Sequence, residues 1–327
     1  MSVQASVRSY LGIAKEATKG TAVAPTKFIP VSASKLKATD IIDPLYDEGL
    51  RGSNVKTYAY IPGRTRSTVE WGGPLFPDTF PWAVAGLFGT VTTTGASAPY
   101  THVVTTENTP TVAADSQPTS LTLTDYYAAN VRAYAGCQVH DVNFNFSAEG
   151  LLDYDAKATG FASATASTPT PVFSSILPAP TWQGTVTVGG TALSNAIEGS
   201  ISMSRPVTPI YGISNTQNPY SVFVGAVETT GSLKFTMEAD TELTRFLTNT
   251  QPSIVLDWSN GSGATLTQVK ATISQGAYTT AMIDRSKDFV EISIDFTGIS
   301  NLTDGGGTQY SPISWQFKNA IATNIYQ

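Results

Sequence analysis

The sequence predicts a mainly β protein made of two tandem β-sandwich modules, each with one short flanking α-helix. Three observations carry this prediction. Apolar and polar residues alternate with period two in many short runs, helical spacing surfaces in only two places, and patterns of the first half return in the second. Val69-Glu70-Trp71, Leu121-Thr122-Leu123, Val142-Asn143-Phe144-Asn145-Phe146, Ile201-Ser202-Met203 and Leu233-Lys234-Phe235-Thr236-Met237 read as strands with one face in a core. So do Val290-Glu291-Ile292-Ser293-Ile294 and Ile313-Ser314-Trp315-Gln316-Phe317.

The first helix follows Asp78 and runs near 78–88, with Phe80, Val84, Leu87 and Phe88 at helical spacing and Gly89 placed to stop it. The second follows Asp240 and runs near 240–248, with Leu243, Phe246 and Leu247 apolar and Asn249 as the stop. In both, the aspartate is positioned to cap free N–H groups at the helix start. Gly189-Gly190 and Asn260-Gly261 signal hairpin turns, and Asp304-Gly305-Gly306-Gly307 a loop.

The repeat is checked by spacing. Pro44 and Tyr46 recur as Pro209 and Tyr211, 165 residues on, and Asp78 recurs as Asp240, 162 on. Val142, Phe144, Phe146 and Gly150 match Val290, Ile292, Ile294 and Gly298 at 148, which leaves 162 − 148 = 14 extra residues in the first copy. The Thr/Ser/Ala/Pro-rich stretch 90–118 is the expected site of that insertion, either a disordered flap or an arm on a neighbour. The modules are therefore expected at 1–165 and 182–327, separated by a proline-punctuated linker at 166–181. Each carries an aromatic-spotted long loop before its helix, at 45–66 and 210–228. Tyr46, Leu50, Arg51, Tyr58, Tyr60, Tyr211, Tyr220 and Phe223 are the candidate contact residues there, because tyrosine offers large area at small entropic cost.

Charged residues make up 13% of the chain, against ~25% in an average globular protein. A surface so poor in Lys and Glu suits coverage by partner subunits. A net charge of −6 lacks the basic footprint of a tight nucleic-acid binder. The opening residues show no basic head followed by an apolar run, so no secretion signal is expected. Cys137 is the single cysteine, which excludes an intrachain disulfide and a thiolate metal cluster.

A hydrolase would need His102 or His140 as base, and no G-x-S-x-G elbow supplies its serine. Asp40, Asp43, Asp47, Glu48, Asp153 and Asp155 read as turn and strand-edge residues rather than a carboxylate pair. Walker, dinucleotide and EF-hand motifs are absent. The expectation is no catalytic residue, no metal and no cofactor.

The segment from Leu11-Gly12-Ile13-Ala14-Lys15-Glu16 to Phe28-Ile29-Pro30-Val31 resembles the start of major tail tube proteins of long-tailed, non-contractile (siphovirus-type) phages. Ala133-Tyr134-Ala135-Gly136-Cys137 through Gly150 resembles them too. The resemblance implies tail-tube-like sandwiches that close with their neighbours into a ring, the rings stacking into a hollow conduit for the genome. Single-module members form rings of six, so a double module implies a homotrimeric ring with pseudo-sixfold symmetry, a hexamer being the alternative. Implied partners are further copies, tape measure protein and genomic DNA in the lumen, and tail-tip and tail-terminator proteins, with no membrane. The implied place is the virion tail, after synthesis and assembly in the host bacterial cytoplasm. Asn143, Asn145, Glu291 and Asp295 are the lumen-facing candidates, since they share the strand faces opposite the apolar residues. The rival readings are a capsid decoration or tail-tip/fibre protein, and a carbohydrate binder using Trp71, Trp82, Trp182, Trp258 or Trp315 as stacking platforms.

Overall fold

The computed structural model describes residues 3–108, 116–322 and 325–326 of the 327. Chain order begins with β1 (Tyr10–Lys15), β2 (Lys27–Ile29), β3 (Lys37–Asp47), β4 (Ala59–Pro74) and helix α1 (Phe80–Phe88). There follow β5 (Gly89–Thr94), β6 (Tyr100–Thr106), β7 (Leu121–Tyr126), β8 (Val131–Ser147), β9 (Asp153–Gly160) and the short β10 (Ala164–Thr165). The second half holds β11 (Gly184–Val188), β12 (Thr191–Leu193), β13 (Ala196–Ser204), β14 (Val207–Ile210), β15 (Ser221–Val224), β16 (Glu228–Thr236) and α2 (Thr241–Leu247). It ends with β17 (Ile254–Asn260), β18 (Thr267–Ile273), β19 (Gly276–Asp284), β20 (Glu291–Gly298) and β21 (Ser314–Asn319).

Strand pairing builds one antiparallel ladder across the molecule, in the order β3-β4-β9-β8-β13-β16-β20-β19. The long β8 makes this possible. Its C-terminal part joins β9 to β13, while its N-terminal part leaves the ladder to pair with β7, which continues to β1 and β2. A second sheet, β12-β11-β17-β18-β21-β6-β5, covers the apolar face of the ladder. It too mixes the halves, because β21 couples β18 to β6.

Between the sheets the period-two alternation delivers Phe144, Phe146, Ile201, Met203, Leu233, Phe235, Ile292 and Ile294 to the interior. Facing aromatics meet them edge-on: the Phe144 ring centroid lies 5.4 Å from that of Trp258 and 5.4 Å from that of Trp315. Buried residues of both halves form one contiguous cluster. Trp71, Trp82, Trp258 and Trp315 belong to it, which leaves Trp182, 75% exposed, apart from the others. The two helices differ. All nine residues of α1 are buried, as befits a helix apolar on every side, and it ends at Gly89 with φ 98°. α2 lies at the surface, with Leu247 exposed and Glu242 tucked under it to accept hydrogen bonds from Tyr278 and Arg245.

Neither aspartate caps its helix, contrary to expectation. Asp78 turns instead to Lys27 (3.0 Å), and Asp240 makes no side-chain cap bond. The two loops are also corrected. Most of 45–66 is the end of a regular hairpin, β3 pairing with β4, and 210–228 contains the hairpin β14–β15. Nor is 90–118 an irregular flap: β5 and β6 form a hairpin locked to β21, while 109–115 lie outside the described residues.

The sheet supplies its own measure of the repeat. A bulge falls at His140 between β8 and β9, and another at Thr279 between β19 and β20, 139 residues later. Gly160 closes β9 as Gly298 closes β20, 138 later. Ser67 is level with Gly160, and extending the β16·β20 register puts Thr229 level with Gly298; 229 − 67 = 162, the Asp78-to-Asp240 spacing. Lys37 pairs with Glu70 as Ser200 pairs with Ser232, so β3 corresponds to β13 at 163. Thus β3, β4, β9 and β8 repeat as β13, β16, β20 and β19. The 148-residue match is overturned, because β20 occupies the place of β9, not of β8. Likewise Pro44 corresponds to Val207, two residues short of Pro209. The surplus of the first half, 162 − 138 = 24 residues, lies between β6 and the level of Cys137, where the second half has only Ser274 and Gln275.

Candidate assembly and lumen surfaces

Three surfaces are left over once the core is closed: the uncovered face of the ladder, its two outer edges, and the hairpins. The uncovered face gathers the polar residues of the alternation in level rows. One row runs Asp155, Asn143, Ser202, Thr230, Thr297 and the next Asp153, Asn145, Ser200, Ser232, Asp295. A third runs Lys37, Glu70, Lys157, Asp141, Ser204, Glu228. Asn143, Asn145, Glu291 and Asp295 therefore lie on the same face of one sheet. Hollows of ≈ 550 Å³ around Asn145, Glu198 and Asp295, and ≈ 300 Å³ around Lys37, Asn143 and Asp155, mark this face.

Its charge is acidic and partly neutralised. Lys157 pairs with Glu70 at 2.8 Å, and Lys35 with Asp153 and, at 3.0 Å, with Asp155. Glu291 departs from the picture of an open lumen carboxylate. Lys287 (2.8 Å) and Lys234 (3.0 Å) lie over it, leaving it 1% exposed, and their hydrogen bonds hold its carboxyl below the usual range. Asp295 is the exposed acid of this strand, accepting a hydrogen bond from Thr280 at 2.6 Å.

Each outer strand of the ladder has one partner among the described residues: β3 pairs only with β4, and β19 only with β20. Their other edges present N–H and C=O groups in extended conformation, a template for another strand. Inside the chain the equivalent junction is already made, where β8 pairs with β13 over Asp141–Ser147 and Glu198–Ser204.

The hairpins carry the contact candidates. Tyr46 and Tyr60 are cross-strand partners with ring centroids 6.1 Å apart, both more than half exposed, and Leu50 at the tip is fully exposed. Arg51 lies over the Tyr58 ring at 4.6 Å and pairs with Asp47, which rigidifies the tip. Tyr211 is engaged within the chain, its hydroxyl donating to the Thr65 carbonyl at 3.2 Å while Arg64 stacks on its ring at 4.8 Å. Gln217 donates to the carbonyls of Pro62 and Gly63, both at 2.9 Å, so the segment between β14 and β15 braces the first hairpin. Tyr220 and Phe223 remain exposed, and Ile213 beside them, which sequence reasoning passes over, is fully so.

The histidines are structural. His102 Nε2 lies 3.2 Å from Asn319 Oδ1 and its Nδ1 2.8 Å from Thr93 Oγ1, and burial pushes its pKa down. His140 fills the β8 bulge, 2.9 Å from Asp141 and 3.1 Å from Thr159. Sequence reasoning also misses Glu16, buried by the donors Gly20 N, Ser120 Oγ, Thr122 Oγ1 and Gly136 N. It misses Arg205 as well, whose buried guanidinium donates to the carbonyls of Leu87 and Gly225. Among the described residues no three His, Cys, Asp or Glu side chains come together as a metal site, and no helix is long and apolar enough to cross a membrane.

No curated protein matches the chain. A family model described as phage tail tube protein matches residues 6–298, which takes in both halves of the ladder, both helices and both hairpins. A structural tube protein of the virion tail, built for self-assembly, accounts for what the fold leaves open, and the chain belongs to the phage tail tube protein family.

Proposed function

We propose that three copies close into a ring with pseudo-sixfold symmetry, and that stacked rings form the tail tube of a long-tailed, non-contractile phage. The observation that carries this is the repeated four-strand unit, β3-β4-β9-β8 then β13-β16-β20-β19, with an open edge at each end. A head-to-tail contact that closes by rotation gives a ring, and three ladders of eight strands give a wall of 3 × 8 = 24 strands. On this reading the modules are 1–165 and 182–327, with 166–181 as the linker. A ring of six chains is the alternative count.

The uncovered face of the ladder forms the bore. Its rows of Asn, Ser and Thr with surplus carboxylates offer phosphates no cationic holding point, so tape measure protein and genomic DNA pass transiently and without sequence preference. At physiological salt the field of these acids decays over ~8 Å, which repels DNA from the wall without steering it. The hairpin tips reach the adjacent ring, since an exposed apolar tip is an interaction surface awaiting its partner. Tail-tip and tail-terminator proteins take the two ends of the tube, assembly occurs in the host cytoplasm, and the chain has no catalytic role. Electron microscopy of the concentrated protein tests the proposal: hollow tubes of stacked threefold rings are expected, and solid fibres or persistent monomers would overturn it.

A further inference from the structure

We infer that the joint between subunits has a defined register in which Asp284 of β19 lies opposite Lys37 of β3 in the next copy, with Met282 opposite Thr39 and Thr280 opposite Ile41. This rests on the ring reading, and goes beyond it by naming the residues that meet. The chain's own internal joint serves as the template. There Asp141 pairs with Ser204, Asn143 with Ser202 and Asn145 with Ser200. The matched bulges at His140 and Thr279 carry β8 onto β19 by adding 139, and the matched ladders carry β13 onto β3 by subtracting 163. Asn145 then maps to Asp284 and Ser200 to Lys37, Asn143 to Met282 and Ser202 to Thr39. All of these share the uncovered face, level with Glu70 on one side and Glu291 on the other.

The mapping yields complementary chemistry that it was not asked to produce. The internal joint is neutral across its Asn145–Ser200 row, whereas the external one opposes an acid to a base. Asp284 stands beside Glu291, and Lys37 beside Glu70, so the incoming lysine is set between carboxylates on both sides. Asp284 already accepts hydrogen bonds from Ser286 N and Oγ, which orient its carboxylate while leaving lone pairs for a further donor. Met282, 60% exposed on a strand edge, is covered by the same contact. A slip by two residues would place Lys37 against Met282, or Asp284 against Thr39, so the charged row selects one register.

Paired cysteines in the full chain test this. Cross-strand Cβ atoms stand ~4.5–5.5 Å apart in register, close enough to oxidise, and ~7–8 Å apart on the diagonal. Cys137 is fully buried and does not compete. Thr39→Cys with Met282→Cys, oxidised in assembled tubes and then blocked, is expected to give a covalent ladder ending in a closed trimer on a non-reducing gel. Thr39→Cys combined with Thr280→Cys or with Asp284→Cys is expected to give little product. Tubes that form but cross-link equally well, or better, in a slipped pair would overturn the register while leaving the ring reading intact. Independently, Lys37→Glu and Asp284→Lys should each lower the sedimenting fraction and together restore it. Two single losses without recovery in the double variant would overturn the pairing, and a wild-type chain that never assembles would overturn both readings.

Discussion

Glu16 anchors the first turn of chain after β1 by accepting from two backbone N–H groups and two hydroxyls, with no cation in the set. Such a buried carboxylate is held by donors that have no other partner, so Glu16→Ala should lower stability by about 3 kcal/mol, read as a fall in the urea midpoint of the unassembled chain. One of its donors, Gly136, has φ 63°, and a Cβ there would meet the Phe161 ring at 2.9 Å. His102 gives a prediction of defined sign. Its folded pKa lies below the unfolded value of about 6.5. Stability is therefore complete above about pH 6.5 and declines as pH falls toward the folded pKa, because the unfolded chain binds the proton first. NMR titration of the two histidines should show one ring, assigned to His102, still neutral at pH values where a free imidazole has charged. None of this is legible in the sequence: Glu16 meets Ser120 and Gly136 only after β7 and β8 return to β1, and no local pattern announces that return.

At the scale of elements, the sequence is most informative where one face is buried. The alternation in 142–146, 201–203 and 233–237 places three neighbouring strands correctly, since each apolar residue must reach the core. Register and correspondence are not legible, because period two looks the same in every strand. Hence spacing alone matches β20 to β8, although bulges and pairing assign it to β9. The long aromatic stretch before α1 reads as a loop because its tip is wet on both faces, which erases the alternation that marks a strand. This refines the test of its role. Removing 53–63 would cut into β4, whereas replacing 48–57 by a two-residue Asn-Gly turn keeps both strands. That variant should fold with an unchanged circular dichroism spectrum and form rings that fail to stack, scored by electron microscopy. Tubes of normal length would remove the tip from the contact between rings.

For the whole molecule, duplication within one chain has joined two wall segments permanently. Strand β21 and the continuous ladder couple the halves, so the joint β8·β13 need not be found by diffusion. The bore lining follows from the same arrangement, and Glu291 is a poor probe of it because Lys234 and Lys287 consume its charge. Asp295→Lys is the cleaner change. It should leave tubes normal in appearance and slow genome ejection from particles several-fold, an effect on the order of 1 kcal/mol, with unchanged ejection placing Asp295 away from the DNA path. The number of chains per ring tests the account most directly. A symmetry-resolved reconstruction of the tube should show three chains, their ladders continuous through β19 of one copy and β3 of the next. Six chains per ring, or ladders whose outer edges stay unpaired, would contradict it.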